Sequence, residues 1–242
     1  MKAKELFDAG RVDEAVRALG ADLRDDPADT GRRMFLFDLL CFAGDYARAQ
    51  KQLDIASGQL PEPEAQVCRE ALRAERIRQS LFEERKYPES PSAPDCPPVR
   101  INGNAFGSLI DCDDRIGSNL EVFAAGNYLL TPFRHIAWLK IPPPKRVRDL
   151  LWVPAELRMS PDFGEREAAW VLLPVLAPLT WRHSTDAVRL GRMTLWADAA
   201  DPNVDPNADP PTMFGQKMFL ADDEEIPLLE VRNLEVDHGS RR

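Results

Sequence analysis

The sequence predicts an α+β fold in which N-terminal helical repeats precede a β-rich half. Three observations lead to this prediction. Apolar residues recur at helical spacing up to about residue 86, and five prolines follow within residues 87–98. Beyond them, short apolar segments alternate with turn residues. The predicted units are a tetratricopeptide-like helical domain at 1–86, a proline-rich linker at 87–98 and a β-rich domain at 99–242.

The helical half carries a repeat of 34 residues. The matched positions are Gly10 with Gly44, Leu6 with Leu40, Val12 with Tyr46, Ala15 with Ala49, Leu19 with Leu53, and Pro27 with Pro61. This is the period of the tetratricopeptide repeat, a pair of antiparallel helices with a small residue at the turn. Helices are predicted at 2–9, 12–24, 30–43, 46–57 and 62–84. Arg78 stands where a third turn glycine would fall, so the fifth helix is predicted to cap the array.

The second half reads as short strands bounded by Gly, Asp, Asn or Pro. Strands are predicted at 105–112, 120–125, 127–130, 149–154, 169–173, 188–196, 216–221 and 228–232. Residues 132–140 are predicted to form a short helix, because Ile136 and Leu139 lie three residues apart. So many short strands favour a small barrel or a strongly bent sheet.

Composition excludes several classes of function. The net charge of −9 and the pI near 5.0 argue against a nucleic-acid partner, which requires a basic face. The sequence contains no apolar run of about 20 residues, so no membrane span is expected. Its N-terminus also lacks a signal peptide, which predicts a cytoplasmic protein. The four cysteines and three histidines are scattered, so neither disulfides nor a zinc site is expected.

Candidate chemistry is sparse. Asp111, Asp113 and Arg115 follow a predicted strand and could form a carboxylate site for acid–base chemistry or a divalent cation. A turn held by aspartate side chains explains the same segment. The acidic loop at 201–211 lacks the ligand spacing of a calcium loop, and signatures of a nucleophile elbow or a phosphate-binding loop are missing. The sequence therefore predicts no catalytic residue, metal or cofactor.

Two surfaces are candidates for protein contacts. In stacked helix pairs, the first helix of each pair lines the concave face. The repeat register places there Phe7, Met34, Asp38, Cys41, Cys68, Leu72 and Glu75. Such a mostly apolar groove suits an amphipathic helix of a partner, unless the second half folds back and buries it. The five tryptophans of the second half are expected mainly in the core, and a dimer joined through a tryptophan-rich face is the alternative.

Four segments of the second half resemble the ImpE family, the TagJ-like (SciE-type) accessory proteins of type VI secretion. They are DDRIGSNLEVFAAGNY (113–128), RDLLWVPAELRM (148–159), RLGRMTLW (189–196) and GQKMFLADDEEIPLLEVRNLE (215–235). Two departures stand out. The segment YLLTP (128–132) has leucine where an aromatic residue is expected before the proline, and the 201–211 loop looks like an insertion.

The resemblance implies a short tetratricopeptide-like half followed by the family's own α+β domain. It also implies a cytoplasmic, non-enzymatic protein without a cofactor. The family binds the N-terminal helix of the sheath subunit TssB and so acts on assembly or recycling of the TssB–TssC sheath. The resemblance carries over no binding residue. The competing hypothesis is an enzyme or small-molecule-binding protein that uses Asp111, Asp113 and Arg115.

Overall fold

The computed structural model describes residues 2–86, 97–163, 167–197, 201–202 and 212–239, and it confirms the predicted α+β class. Five helices come first: α1 Lys2–Asp8, α2 Val12–Asp25, α3 Thr30–Phe42, α4 Tyr46–Ser57 and α5 Glu62–Glu83. Each helix packs against the next along the chain. Gly10 and Gly44, one repeat apart, both have positive φ angles that glycine adopts without strain. The helical repeat is therefore present as predicted.

The strands follow. They are β1 Val99–Ile101, β2 Asn104–Phe106, β3 Ile110–Asp111, β4 Asn119–Ala124, β5 Asn127–Pro132, β6 Ile136–Lys140, β7 Trp152–Met159, β8 Ala169–Pro174, β9 Leu195–Ala197, β10 Thr212–Phe214, β11 Met218–Ala221, β12 Glu224–Pro227 and β13 Asn233–Val236. A short helix, α6 Asp186–Arg189, lies between β8 and β9.

The main sheet is antiparallel and open. Its strand order is β2-β1-β13-β6-β7-β8-β4-β5, so β2 and β5 are edges and the ladder does not close into the barrel that the strand count suggested. A second sheet, β12-β11-β3, supplies side chains to the core on one face, where the rings of Phe133 and Phe219 meet edge to face at 5.7 Å. The other face carries α5, which lies against β4 and β5.

One hydrophobic cluster joins the helices to the β-rich half. Phe123, Leu151, Trp152 and Leu190 pack into the same core as the helical residues. The Trp152 side chain is 2% exposed, and its ring centroid lies 6.2 Å from that of Phe37 in α3. The two halves therefore share a core. Most of the predicted linker, residues 87–96, lies outside the described residues, so the division into domains stays a prediction.

Three predictions of secondary structure were wrong. Residues 136–140 form β6 rather than a helix. The pairing register shifts between Ile136 and Trp138, and this bulge turns both Ile136 and Leu139 inward at a spacing that mimics a helix. The predicted strand at 188–196 is mostly α6 and a turn at Gly191, whose φ is positive. The predicted strand at 228–232 is instead a short 3₁₀ helix at Leu228–Glu230, and β13 begins at Asn233.

The tryptophans occupy different environments. Trp152 lies beneath the helices, whereas Trp170 on β8 is 69% exposed and Trp196 on β9 is 39% exposed. Of the helices that the structure describes, none combines the length and apolar character needed to cross a membrane. Residues 203–211, most of the acidic loop, lie outside the described ranges.

Candidate functional site

The charged residues with the least exposure form a chain of ion pairs between α5 and the main sheet. At its centre, Arg78 of α5 pairs with Glu121 of β4 through two contacts, Nε to Oε1 at 2.6 Å and Nη2 to Oε2 at 2.9 Å. Both side chains are almost fully buried. A two-pronged pair of this kind compensates the desolvation of both charges only when its geometry is good.

Lys217, just before β11, extends the chain to a second carboxylate. Its Nζ contacts Oε2 of Glu121 and lies 2.5 Å from Oδ2 of Asp111, which is fully buried. Asp111 in turn accepts a hydrogen bond at 2.9 Å from the backbone N–H of Asp113 through Oδ1. The ion pairs thus link α5, β4, β11 and β3.

The pKa values in this chain follow burial and charge. Burial alone would raise the pKa of Glu121, but Arg78 and Lys217 outweigh it and lower that pKa to about 2. For Asp111, burial dominates over Lys217 and raises the pKa to about 6. Burial opposes the charged form of Lys217, yet Asp111 and Glu121 raise its pKa. The charged forms of Glu121 and Lys217 are therefore stabilised by the opposite charges beside them.

The α5 end of the chain docks onto the sheet and the following loop. Glu75 accepts a hydrogen bond from the Trp152 indole at 2.7 Å. Gln79 Oε1 accepts from the Leu179 backbone at 3.0 Å and from the Trp181 indole at 3.2 Å. The cavity beside these groups measures about 20 Å³, which is room for one water molecule rather than a substrate. The arrangement fastens α5 to the sheet.

The seven residues of the predicted groove are all buried: Phe7, Met34, Asp38, Cys41, Cys68, Leu72 and Glu75. The second half of the chain covers them. Arg148 pairs with Asp38 at 2.8 Å and donates to the Cys68 sulfur at 2.9 Å. Arg192 lies over the Phe7 ring and donates to its carbonyl at 2.8 Å. The face is therefore not an open groove in this structure. The second half of the chain folds back over it, as in the alternative considered for the sequence.

Asp111, Asp113 and Arg115 do not converge on a cleft. Asp111 points to Lys217, whereas Asp113 forms a two-pronged pair with Arg115, with Arg115 Nε 2.7 Å from Oδ1. The Asp113 carbonyl closes the turn by accepting from the backbone of Ile116 and Gly117. Among the described residues, no group of three or more His, Cys, Asp or Glu side chains is placed to hold a metal ion.

The ImpE protein family model matches residues 103–235. The type VI secretion system accessory component TagJ of Pseudomonas aeruginosa is 32% identical, an alignment that covers 98% of this chain and 92% of TagJ. The chain belongs to the ImpE family. In fold, this ImpE protein also matches the X-ray crystal structure of protein VPA1032 from Vibrio parahaemolyticus, with a TM-score of 0.83, 22% identity and 99% of each chain covered.

Sequence reasoning did not single out Arg78, Glu121 and Lys217 as a unit in this ImpE protein. Two signals were available. Arg78 replaces the small residue that the repeat requires, and an arginine at a helical position facing other helices needs a buried partner. Glu121 and Lys217 each interrupt an apolar strand segment within the motifs that resemble the family. Which acid meets which base depends on residues 43 and 96 positions apart, and spacing does not reveal that.

The buried Asp38 of the ImpE protein predicts a pH dependence of stability. Burial raises its pKa to about 6 although Arg148 opposes the shift, whereas an unfolded aspartate titrates near 3.9. A raised folded pKa means that the folded protein binds the proton more readily, so stability increases as pH falls towards 5.5. From pH 7.5 to pH 5.5, we expect Asp38 to contribute roughly 1 kcal/mol to the free energy of unfolding.

Urea denaturation of the wild type and of Asp38→Asn at the two pH values measures this contribution. The variant should lose most of that increase, whatever its absolute stability. Asp54→Asn, which changes an exposed aspartate on α4, should keep it. Equal pH slopes for the wild type and Asp38→Asn would show that Asp38 is ionised throughout this range.

Proposed function

We propose that this ImpE protein is a non-enzymatic accessory component of a bacterial type VI secretion system. The observation that carries the proposal is its 32% identity to TagJ of Pseudomonas aeruginosa along 98% of the chain. We further propose that it acts in the cytoplasm by binding the N-terminal helix of the sheath subunit TssB, and that it thereby modulates assembly or recycling of the TssB–TssC sheath.

The site geometry supports a role without catalysis. The strongly buried charges Asp111, Glu121 and Lys217 are paired with one another, and Asp113 is paired with Arg115. Catalytic groups need access to a substrate, whereas these three charges are almost fully buried and Asp113 lies in a closed turn. Their ion pairs hold α5 and the strands together.

Co-purification tests the proposal. The full chain with an affinity tag should retain the TssB–TssC complex of the same bacterium, and it should lose this complex when TssB lacks its N-terminal helix. TssC expressed alone is the matched control and should not be retained. Retention of both TssB forms to the same extent, or of neither, would contradict the proposed partner segment.

A further inference from the structure

A groove of about 210 Å³ lies open between α5 and β8. Its lining is mainly apolar: Val67, Ala71, Phe123, Pro154, Trp170 and Leu172. The two outermost members are unusually exposed for their type, with Trp170 at 69% and Val67 at 47%. A large apolar side chain that stands in solvent beside a groove marks a contact surface more often than an isolated one does.

The groove lies where the helical layer of the protein ends. Trp170 pairs across the strands with Glu156, and Leu172 pairs with both Pro154 and Phe123, so these residues share the face of the sheet that α5 covers. Trp152, earlier on the same face of β7, is already beneath the helices and bonded to Glu75 of α5. Farther along β7, Glu156 and Arg158 emerge from that cover. A helix beside α5 would continue the layer across the bare strip of sheet.

Acidic side chains flank the apolar floor on both sides. Glu70 lines the α5 wall, and Glu156 stands on β7 opposite Trp170. Glu156 is half-buried, yet it forms no ion pair with any residue in the described part of the chain. Its other cross-strand neighbour, Lys140, instead places its ammonium 4.5 Å from the centre of the Trp138 ring. A carboxylate that forms no ion pair within the described residues therefore stands beside the most exposed aromatic ring of the groove.

From this combination we infer that the groove is the docking surface for an amphipathic helix of a partner, whose apolar stripe is flanked by lysine or arginine. An apolar anchor enters between Val67 and Trp170, and a basic side chain pairs with Glu156. This inference rests on the proposed function, because the partner helix it specifies is the N-terminal helix of TssB. It replaces the repeat-register groove, whose seven residues are covered.

The experiment measures the affinity of the full chain for TssB by isothermal titration. Trp170→Ala should weaken binding by about 30-fold or more, the effect of an aromatic hot spot. Trp196→Ala, which removes an exposed tryptophan outside the groove, should leave the Kd within about twofold. Glu156→Lys should weaken binding most at low salt, while Glu224→Lys, the same charge change at an exposed position on β12, should not. Urea denaturation checks that each variant folds.

The outcomes separate the surface from the function. If the wild type binds TssB and Trp170→Ala and Glu156→Lys bind equally well, the surface is wrong and the proposed function stands. If the wild type does not bind TssB at all, both fail. A wild-type chain that is dimeric by light scattering and becomes monomeric on Trp170→Ala would assign the groove to a second copy of this chain, and it would overturn the inference.

Discussion

Replacing Lys217 with methionine is expected to cost about 3–5 kcal/mol of unfolding free energy. Methionine fills a similar volume but removes the positive charge that lies 2.5 Å from Asp111 and in contact with Glu121. Both carboxylates would remain buried, and Asp111 would lose its basic partner. Urea denaturation at pH 7.5 measures the loss, which should appear as a lower midpoint with little change in slope.

Two further variants test whether the loss arises from the buried carboxylates that have lost their positive partner. Lys51→Met, at an exposed position on α4, should change stability by less than about 0.5 kcal/mol. Asp111→Asn combined with Lys217→Met should cost less than the two single changes together, because the pair interacts directly. Strict additivity, or a loss below about 1 kcal/mol for Lys217→Met, would show that water or another group compensates the carboxylates.

Replacing Gly44 with alanine is expected to cost roughly 2–5 kcal/mol. Part of the cost is the positive φ of 72°, which an L-residue adopts with a penalty of about 1–2 kcal/mol. The remainder is steric, because an alanine Cβ would lie 2.3 Å from Cδ2 of Trp181. The indole cannot easily move away, since its N–H donates to Gln79, and overpacking of this kind costs about 1–3 kcal/mol.

Gly10 supplies the matched control, one repeat earlier. Its φ is 78°, but the nearest atom to an added Cβ is Nη1 of Arg192 at 3.5 Å, an ordinary contact. Gly10→Ala should therefore show the backbone penalty alone, by thermal or urea unfolding. In a Trp181→Ala background, the cost of Gly44→Ala should fall to that of Gly10→Ala. Equal costs for the two glycines in the wild-type background would contradict the role of Trp181.

Local patterns predicted the elements whose periodicity is intact. The five helices begin and end within about two residues of their predicted bounds, because an apolar stripe and a turn glycine are local signals. The secondary structure of the β-rich half was harder to predict from local patterns. The bulge in β6 imitates helical spacing, and the segment before β9 is held by the left-handed turn at Gly191 rather than by strand pairing.

The candidate site shows the same division. The repeat register predicted that Asp38, Cys41 and Cys68 share one face of the helical array, and helical geometry suffices for that prediction. The register could not show that Arg148, 110 residues away in the chain, pairs with Asp38 and covers that face. The open groove beside α5 likewise could not be predicted from the sequence, because Val67 and Trp170 belong to different elements and neither lies in a recognisable motif.

The sequence by itself determined the α+β class, the 34-residue helical repeat and the motifs that place the chain in the ImpE family. Only the tertiary structure decided which surfaces remain free, and it showed that Arg78 is an anchor of α5 rather than simply a missing glycine. The physical reason is that periodicity and turn chemistry act between neighbours in the chain. Burial and ion pairing depend instead on distant segments, such as Arg78 with Glu121 and Lys217 with Asp111.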